Sequence, residues 1–185
     1  MTNQPSTDLS IHIVRTEDRS PALYAEIVDA TSAAYEEPFA HYFEAMDPVT
    51  HVLACAAGRV LAHACWIERW LKQEPDGPLM RTAYIEAVGT RPEAQWRGLA
   101  SRVLRAAGAA VAAEGFDVAG LSPSDPAFYA RLGWELWRGP LHARHEDGTL
   151  ELVPGEQAMV LRLPRTPPLD LGAALSVEWR EDEVY

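Results

Sequence analysis

The sequence predicts one domain of mixed α/β architecture, in which a mixed central sheet is flanked by helices. The length of 185 residues suits a single compact domain. Apolar runs of strand length are interleaved with segments of helical periodicity. Glycine and proline turn signals separate these segments without a linker between them. We therefore expect one domain over 1–185, with a loose tail over 1–8 and a C-terminal tail over 164–185.

The first half of the chain predicts an edge strand, two helices and three antiparallel strands. Ser20-Pro21 is typical of a helix start, with a capping residue followed by proline at the first helical position. The predicted strands and helices, in chain order, are strand 10–15, helix 21–35, helix 39–46 and strands 51–56, 60–70 and 80–90. Turns are expected at Gly58-Arg59 and over 74–78.

The second half predicts helix, strand, helix and strand, with a hairpin before the last strand. An Ala-rich helix over 98–114 ends at Gly115, and a short helix begins at Ser124-Asp125-Pro126 and stops at Gly133. Strands are expected over 116–121, 134–137 and 157–163, with a hairpin over 139–155. The tail is Pro-rich and then apolar.

The two cysteines lie on the predicted hairpin of 52–66. A turn at Gly58-Arg59 would place Cys55 opposite Ala62 and Cys65 opposite Val52, three residues out of register and on opposite faces. A disulfide needs Cα atoms within ~7 Å. The register therefore predicts two unpaired thiols.

Composition excludes several classes of protein. The chain is 48% hydrophobic and 23% charged, and its formal net charge is −11. Such a charge opposes binding to nucleic acid and anionic membranes and attracts cationic ligands. The chain has no apolar stretch of membrane-spanning length and no signal-peptide pattern at its start, so we expect a cytoplasmic protein. No quartet of metal ligands accompanies His142 and His145, so no metal site is predicted.

The segment Gln95-Trp96-Arg97-Gly98-Leu99-Ala100 lies between a predicted strand and the Ala-rich helix. The N-terminus of a helix presents free N–H groups and a partial positive charge, which together attract anions. Small residues at Gly98 and Ala100 would let phosphate oxygens approach the backbone. About 30 residues later, Tyr129 begins a Y-x-x-x-G-W step that ends at Gly133-Trp134.

These two segments, in this order and spacing, resemble the GNAT superfamily of acyltransferases. The resemblance implies the GNAT fold, acetyl-CoA as co-substrate, and Tyr129 placed to protonate the departing CoA thiolate. It implies cofactor-binding roles for Val88, Gly89 and Thr90, which offer backbone groups to pantetheine, and for Gln95, Trp96, Arg97, Gly98, Leu99, Ala100 and Ser101 at the pyrophosphate.

An acceptor amine must lose a proton before it attacks a thioester, and a carboxylate within one water can remove that proton. Strict alternation along the strand places Glu86 on the same face as Val88 and Thr90. A carboxylate is costly in such an apolar run unless it faces water or a ligand. Glu86 is therefore the predicted general base.

Three segments are similar to the aminoglycoside 2′-N-acetyltransferases: 84–88, 129–140 and the ending Val177-Glu178-Trp179-Arg180-Glu181-Asp182-Glu183-Val184-Tyr185. This likeness implies that carboxylates bind a cationic aminoglycoside and that its 2′-amine receives the acetyl group directly in a ternary complex. The implied substrate-binding residues are Glu37, Glu86, Ala87, Glu156, Glu183, Tyr185 through its terminal carboxylate, and either Ser122 or Ser124. Trp179, Val184 and Tyr185 are expected to be buried.

Two other functions fit the same segments. A GNAT enzyme acting on a polyamine, a peptide or another amino sugar would need the same turn and the same tyrosine. A non-catalytic acyl-CoA-binding domain would need the turn alone. A homodimer is compatible with either. Antibiotic resistance and a housekeeping reaction would give the same sequence pattern.

Overall fold

A computed structural model describes residues 8–180 and Tyr185. The helices are α1 (Pro21–Tyr35), α2 (Ala40–Met46), α3 (Leu99–Ala113) and α4 (Pro126–Ala130). The strands are β1 (Ser10–Arg15), β2 (Thr50–Ala56), β3 (Arg59–Gln73), β4 (Leu79–Thr90), β5 (Val118–Leu121), β6 (Glu135–Leu136), β7 (Leu141–Arg144), β8 (Leu150–Leu152), β9 (Met159–Arg162) and β10 (Leu175–Glu178). The sheet contains both parallel and antiparallel strand pairs, and helices stand between strands in the chain order. This confirms the predicted mixed α/β class.

The fold consists of two compact units, and β3, β4 and α3 each run through both. The first unit contains the described residues up to Ile67 together with Ile85–Ala107. Here β1, β2 and β3 pair antiparallel, so the predicted edge strand is confirmed by the pairing of β1 with β2. Ile27 of α1, Phe43 of α2 and Val52 of β2 are buried in the core of this unit.

The start of α1 follows directly from its sequence. Ser20 lies in extended backbone as the N-cap, its hydroxyl accepts the Leu23 N–H, and Pro21 occupies the first helical position. A serine cap satisfies one of the N–H groups that a helix start leaves without a partner. At the other end Glu36 takes a left-handed conformation, with φ at 59°, and ends the helix at Tyr35.

The predicted register of the β2–β3 hairpin is wrong. The turn residues are Ala57 and Gly58, both with positive φ, one position earlier than expected. Two consecutive left-handed residues match the twist of a tight hairpin. A shift between Ala54 and Cys55 changes the register again, so Cys55 pairs with Val60 and Cys65 with His51. Both thiols are free.

The second unit contains Glu68–Tyr84 and the described residues from Gly108 onward. Its strand order is β6-β9-β5-β4-β3-β10-β7-β8. β5 runs parallel to β4 and antiparallel to β9, and β7 and β8 form the predicted hairpin. Ala119, Leu121 and Val160 are buried in its core.

The C-terminal tail contains a strand that was not predicted from the sequence. Leu175–Glu178 forms β10, which is parallel to β7 and antiparallel to β3. Its side chains Leu175, Ser176 and Val177 are fully buried. Four residues without alternation, in a Pro-rich setting, carry little periodic signal, and long-range pairing decides their conformation.

Among the described residues, none of the helices has both the length and the apolar character needed to cross a membrane.

Candidate active site

The turn that opens α3 is exposed and takes an unusual backbone conformation. Gln95, Trp96, Arg97 and Gly98 are all exposed, and the Trp96 side chain is 99% accessible. Trp96 has a φ of 64° and Gly98 a φ of 73°, so two left-handed residues stand two positions apart. A Cβ added at Gly98 would meet no atom within 4 Å. Where successive residues of a turn alternate between right- and left-handed conformations, their backbone N–H groups can face one anion.

The first turn of α3 adds free N–H groups to this surface. The first helical bond runs from the Arg102 N–H to the Gly98 carbonyl at 3.2 Å. The N–H groups of Leu99, Ala100 and Ser101 precede that bond, and such groups have no partner within a helix. Leu99 is buried and anchors the turn, whereas Gln95 reaches back from its side-chain amide to the Thr90 carbonyl at 3.5 Å.

Arg91 fixes the segment between β4 and this turn. Its side chain is 4% exposed and donates to the Val60 carbonyl at 2.7 Å, to Asp29 at 2.6 Å and to Glu26 at 3.2 Å. A buried guanidinium needs such partners because its desolvation is costly. The buried role of Arg91 was not predicted from the sequence, since its acidic partners lie more than 60 positions away on α1.

The predicted pantetheine segment follows a break in β4. Ala87 has a φ of 52°, which L-residues other than glycine rarely adopt. This residue interrupts the extended backbone between Glu86 and Val88. Strict alternation, from which Glu86 was expected on one face with Val88 and Thr90, does not hold through Ala87. Glu86, Val88, Gly89 and Thr90 are all half-buried.

Three consecutive carbonyls at this break accept hydrogen bonds from side chains. Glu86 O accepts from the Cys65 thiol at 3.5 Å, Ala87 O accepts from His63 Nδ1 at 2.8 Å, and Val88 O accepts from the Tyr35 hydroxyl at 3.2 Å. The donors come from β3 and α1. Side chains from two elements therefore hold the backbone where the strand departs from regular geometry.

Gly89 lies directly against α1. A Cβ at this position would stand 2.8 Å from the Ala34 methyl and 3.2 Å from Cε2 of Tyr35. Contacts below 3.0 Å require one partner to move. A glycine is therefore needed where the end of β4 approaches the helix.

Two buried histidines stand behind Ala87. His51 Nδ1 and His63 Nε2 are 2.9 Å apart, and both side chains are at most 1% exposed. Burial is the main cause that lowers the pKa of His51 to about 3, and the neighbouring His63 and Arg19 lower it further. Burial also lowers the pKa of His63 to about 4, although its bond to the Ala87 carbonyl opposes this. Both imidazoles are therefore neutral near pH 7.

The Cys65 thiol lies beside this pair. One ligand atom from each of His51, His63 and Cys65 falls within 4.8 Å of the others. Burial raises the pKa of the Cys65 thiol well above its usual value, and the Glu86 carboxylate raises it further. Only His142 and His145 stood out in the sequence as candidate metal ligands, so this cluster was not predicted. The signal available was a histidine on each of two neighbouring apolar strands.

Tyr129 lies in the second unit, on α4. Asp125 caps this short helix by accepting the N–H groups of Ala127 and Phe128. The Tyr129 side chain is 5% exposed, and burial is the main cause that raises the pKa of its phenol. A hydrogen bond with the Ser124 side chain opposes this rise, and the charge of Asp125 adds to it. Tyr129 is therefore a neutral phenol with a proton to donate.

Ser122 and Ser124 have different partners. The Ser122 hydroxyl donates to the Gln157 carbonyl at 3.1 Å, and Glu156, which precedes Gln157 in the chain, is exposed. Ser124 is instead the residue bonded to the Tyr129 phenol. In the first unit, Glu37 is exposed in the loop after α1, two positions beyond Tyr35. Glu183 lies outside the described residues.

Tyr185 is buried, as expected. Its hydroxyl lies 3.0 Å from the His142 carbonyl and 3.1 Å from the Leu175 carbonyl, and it accepts the His142 N–H at 3.2 Å. Burial raises the pKa of this phenol far above its usual range. The expectation of burial is wrong for Trp179, which is 47% exposed. It stacks on the ring of His145, at 5.8 Å between centroids, and so covers only one face.

Comparison with known proteins identifies the family. The model of the acetyltransferase (GNAT) domain matches residues 23–137. The chain is 29% identical over 140 residues to an aminoglycoside 2′-N-acetyltransferase of Mycolicibacterium fortuitum, an alignment that covers 73% of this chain and 70% of that protein.

Two solved structures have the same fold. A GNAT family N-acetyltransferase of Escherichia coli (YhbS), solved in complex with CoA, has a TM-score of 0.66 at 16% identity and covers 97% of this chain and 94% of its own. Eis1 of Mycobacterium abscessus has a TM-score of 0.60 at 20% identity over 74% of this chain. This chain spans 33% of the length of Eis1. Because the family model covers more than half of the sequence, this protein belongs to the GNAT family of N-acetyltransferases.

Proposed function

We propose that this protein transfers an acetyl group from acetyl-CoA to an amine of an aminoglycoside, at the 2′ position. The observation that carries the proposal is the exposed turn with left-handed Trp96 and Gly98 at the start of α3. In a chain of this family, such a turn suits the diphosphate of CoA. The acceptor class rests on the likeness to the aminoglycoside 2′-N-acetyltransferase.

The residues of the first unit fit a bound CoA. The open space at Gly98 and the free N–H groups of Leu99, Ala100 and Ser101 suit diphosphate oxygens. Arg97 is exposed beside them and adds a charge-assisted contact. The backbone of Val88, Gly89 and Thr90 follows the break at Ala87 and would hydrogen-bond the pantetheine arm.

Acetyl-CoA supplies an activated thioester. Glu86 accepts a proton from the ammonium form of the acceptor, directly or through one water, and leaves a neutral amine. The nitrogen then forms its bond to the acetyl carbonyl carbon as the carbon–sulfur bond breaks. Tyr129 donates its phenolic proton to the departing sulfur. The nitrogen loses its second proton to water as the amide forms, and a proton from water returns the Tyr129 phenolate to the phenol. General acid–base catalysis of this kind is worth ~10²–10⁴-fold.

Charge supports a cationic acceptor. The chain carries a formal charge of −11, which raises the local concentration of polycationic ligands. Glu37 and Glu156 are exposed and available to bind ammonium groups. Together with Glu86, Glu183 and Tyr185, they form the proposed acceptor set.

The test is a thiol-release assay with acetyl-CoA against aminoglycosides that carry or lack a 2′-amine. We expect release only with compounds that carry a 2′-amine, and NMR of the product should locate the acetyl group there. Release with compounds lacking that amine would move the reaction to another position. Release only with polyamines or peptides would replace the acceptor class. CoA binding without turnover on any amine would make this a binding domain.

A further inference from the structure

A line of hydrogen bonds crosses the interior of the first unit and ends at the break in β4. Arg19 Nη1 lies 3.0 Å from His51 Nε2, His51 Nδ1 lies 2.9 Å from His63 Nε2, and His63 Nδ1 lies 2.8 Å from the Ala87 carbonyl oxygen. We propose that His63 is a positioning residue for acetyl transfer, oriented by His51 and Arg19 to hold the left-handed Ala87 and thereby align Val88–Thr90 with the acyl-CoA. This inference rests on the proposed function.

The direction of every proton in this line follows from its first member. A guanidinium only donates, so His51 must accept at Nε2 and carry its proton on Nδ1. His51 Nδ1 then donates to His63 Nε2, which leaves the His63 proton on Nδ1. That proton meets a carbonyl oxygen, which only accepts. Each donor therefore faces an acceptor, and both imidazoles have one possible tautomer.

The line of hydrogen bonds ends at the carbonyl of Ala87, where the left-handed backbone needs support. A non-glycine residue in the left-handed region is strained and persists only where its surroundings hold it. Ala87 has no side-chain polar group to stabilise its own conformation. Its carbonyl is held by His63, and the carbonyls on either side are held by Cys65 and Tyr35. Val88, Gly89 and Thr90 follow directly in the chain, so the φ of Ala87 determines the direction of their backbone.

The same geometry argues against a metal ion between the two histidines. Two nitrogens that bind one tetrahedral zinc at ~2.0–2.1 Å stand roughly 3.3 Å apart. Nδ1 of His51 and Nε2 of His63 are closer, at 2.9 Å, which is the donor–acceptor distance of a hydrogen bond. The two remaining ring nitrogens are engaged by Arg19 and Ala87.

The tautomers are measured by long-range proton–nitrogen NMR of the imidazole rings at pH 7. Both His51 and His63 should show a protonated Nδ1 and an unprotonated Nε2. This readout needs neither substrate. The opposite tautomer in either ring, or zinc bound in equimolar amount in metal analysis of the purified protein, would overturn the proposed line.

Two variants separate positioning from stability. His63→Leu removes the donor to Ala87, whereas His63→Asn places an amide N–H where Nδ1 stood. Both variants remove the His63 Nε2 atom that accepts the His51 proton, so they are matched in that respect. Thr31→Val is the control for a buried polar deletion, because the Thr31 hydroxyl donates within α1, to the Ile27 carbonyl.

We expect His63→Leu to weaken CoA binding in calorimetry, and to raise KM for acetyl-CoA, by about tenfold, the loss of one buried hydrogen bond to the segment. His63→Asn should restore most of that loss, and Thr31→Val should bind CoA as the parent does. Equal CoA affinity in His63→Leu and the parent would overturn the inference while leaving the proposed function intact. A parent that binds CoA but acetylates no aminoglycoside would overturn the proposed function alone. In that case the CoA affinities still decide the role of His63.

Discussion

The Tyr35 hydroxyl donates to the Val88 carbonyl over 3.2 Å and so joins the last residue of α1 to the end of β4. The Tyr35 ring also packs on Phe39, at 4.9 Å between centroids. The end of the helix, the start of the following loop and the proposed pantetheine segment are therefore connected through one side chain. A change at this tyrosine should affect cofactor binding more than folding.

Tyr35→Phe should raise KM for acetyl-CoA severalfold and lower the free energy of unfolding by about 0.5–1.5 kcal/mol, the net value of one hydrogen bond. The ring contacts remain, so the fold is preserved. Steady-state kinetics and a urea titration measure the two effects. Tyr42→Phe is the matched control, because Tyr42 is another partly exposed tyrosine whose ring packs on Phe39. An equal rise of KM in both variants would contradict the role of Tyr35.

Gly89→Ala should impair acetyl-CoA binding by displacing α1 from β4. The new methyl would stand 2.8 Å from the Ala34 methyl, and overpacking of this kind costs roughly 1–3 kcal/mol. Thermal melting and KM for acetyl-CoA measure the displacement. The double variant Ala34→Gly/Gly89→Ala removes the clashing methyl and should recover part of the affinity. Full activity of Gly89→Ala alone would contradict the close approach.

Tyr35 and Gly89 show which features of the site can be predicted from the sequence and which cannot. The motif spacing predicted the turn at Gln95–Gly98, Tyr129 on a short helix and most elements within a few residues, because local propensity and turn residues determine them. The support around Ala87 was not predictable in this way. Cys65, His63 and Tyr35 converge there from positions 21 to 53 residues away. Register decides which side chains meet, and one unexpected turn residue at Ala57 changed the register.

Contacts between residues far apart in the chain also explain why the burial of Arg91 and the strand β10 were not predicted. A buried arginine looks like a surface charge in the sequence, because its ion-pair partners Glu26 and Asp29 lie far away in the chain. Leu175–Glu178 forms a strand because it pairs with β7 on one side and with β3 on the other. The Tyr185 hydroxyl then bonds to both β7 and β10. Burial of Tyr185 was predictable from its chemistry, but its partners were not.

Stability should fall as the pH is lowered from about 6.5. Both imidazoles have a pKa below the usual value in the folded chain, about 3 for His51 and about 4 for His63. Between those values and ~6.5 the unfolded chain binds more protons, so the free energy of unfolding increases with pH there and levels off above it. Each imidazole contributes a slope of up to about 1.4 kcal/mol per pH unit.

Urea titrations from pH 4.5 to 7.5 measure this slope. The groups around the pair are the Arg19 guanidinium, the Cys65 thiol, whose pKa is raised by burial, and the ring of Phe43. The double variant His51→Leu/His63→Leu should therefore flatten the curve between pH 5 and 6.5 relative to the parent. An unchanged slope would show that other groups govern the acid response.

Tyr185→Phe should destabilise the protein through the β7–β10 pair. Removing the hydroxyl takes the acceptor from the His142 N–H and the one phenolic proton from the carbonyls of His142 and Leu175, which share it. Unsatisfied buried backbone groups cost about 1–3 kcal/mol each, less where a neighbour or water replaces the partner. Thermal melting should show a lower midpoint, whereas KM for acetyl-CoA should stay near the parental value. Trp179→Phe, an exposed change in the same tail, is the control and should melt as the parent does.

Tyr129→Phe should lower kcat without changing the affinity for acetyl-CoA. The ring contacts with Phe128 and Trp134 remain, because only the hydroxyl is lost. The departing sulfur then has no protein donor, and the loss of a general acid is worth ~10²–10⁴-fold in rate. Steady-state kinetics with a 2′-amine substrate give kcat, and calorimetry with CoA gives the affinity. Ser124→Ala tests the neighbour, because its hydrogen bond with the Tyr129 phenol opposes the rise in pKa. Without that bond the pKa of Tyr129 should rise, so the proton is harder to release and kcat falls by less than in Tyr129→Phe. A parental kcat in Tyr129→Phe would remove Tyr129 from the catalytic step.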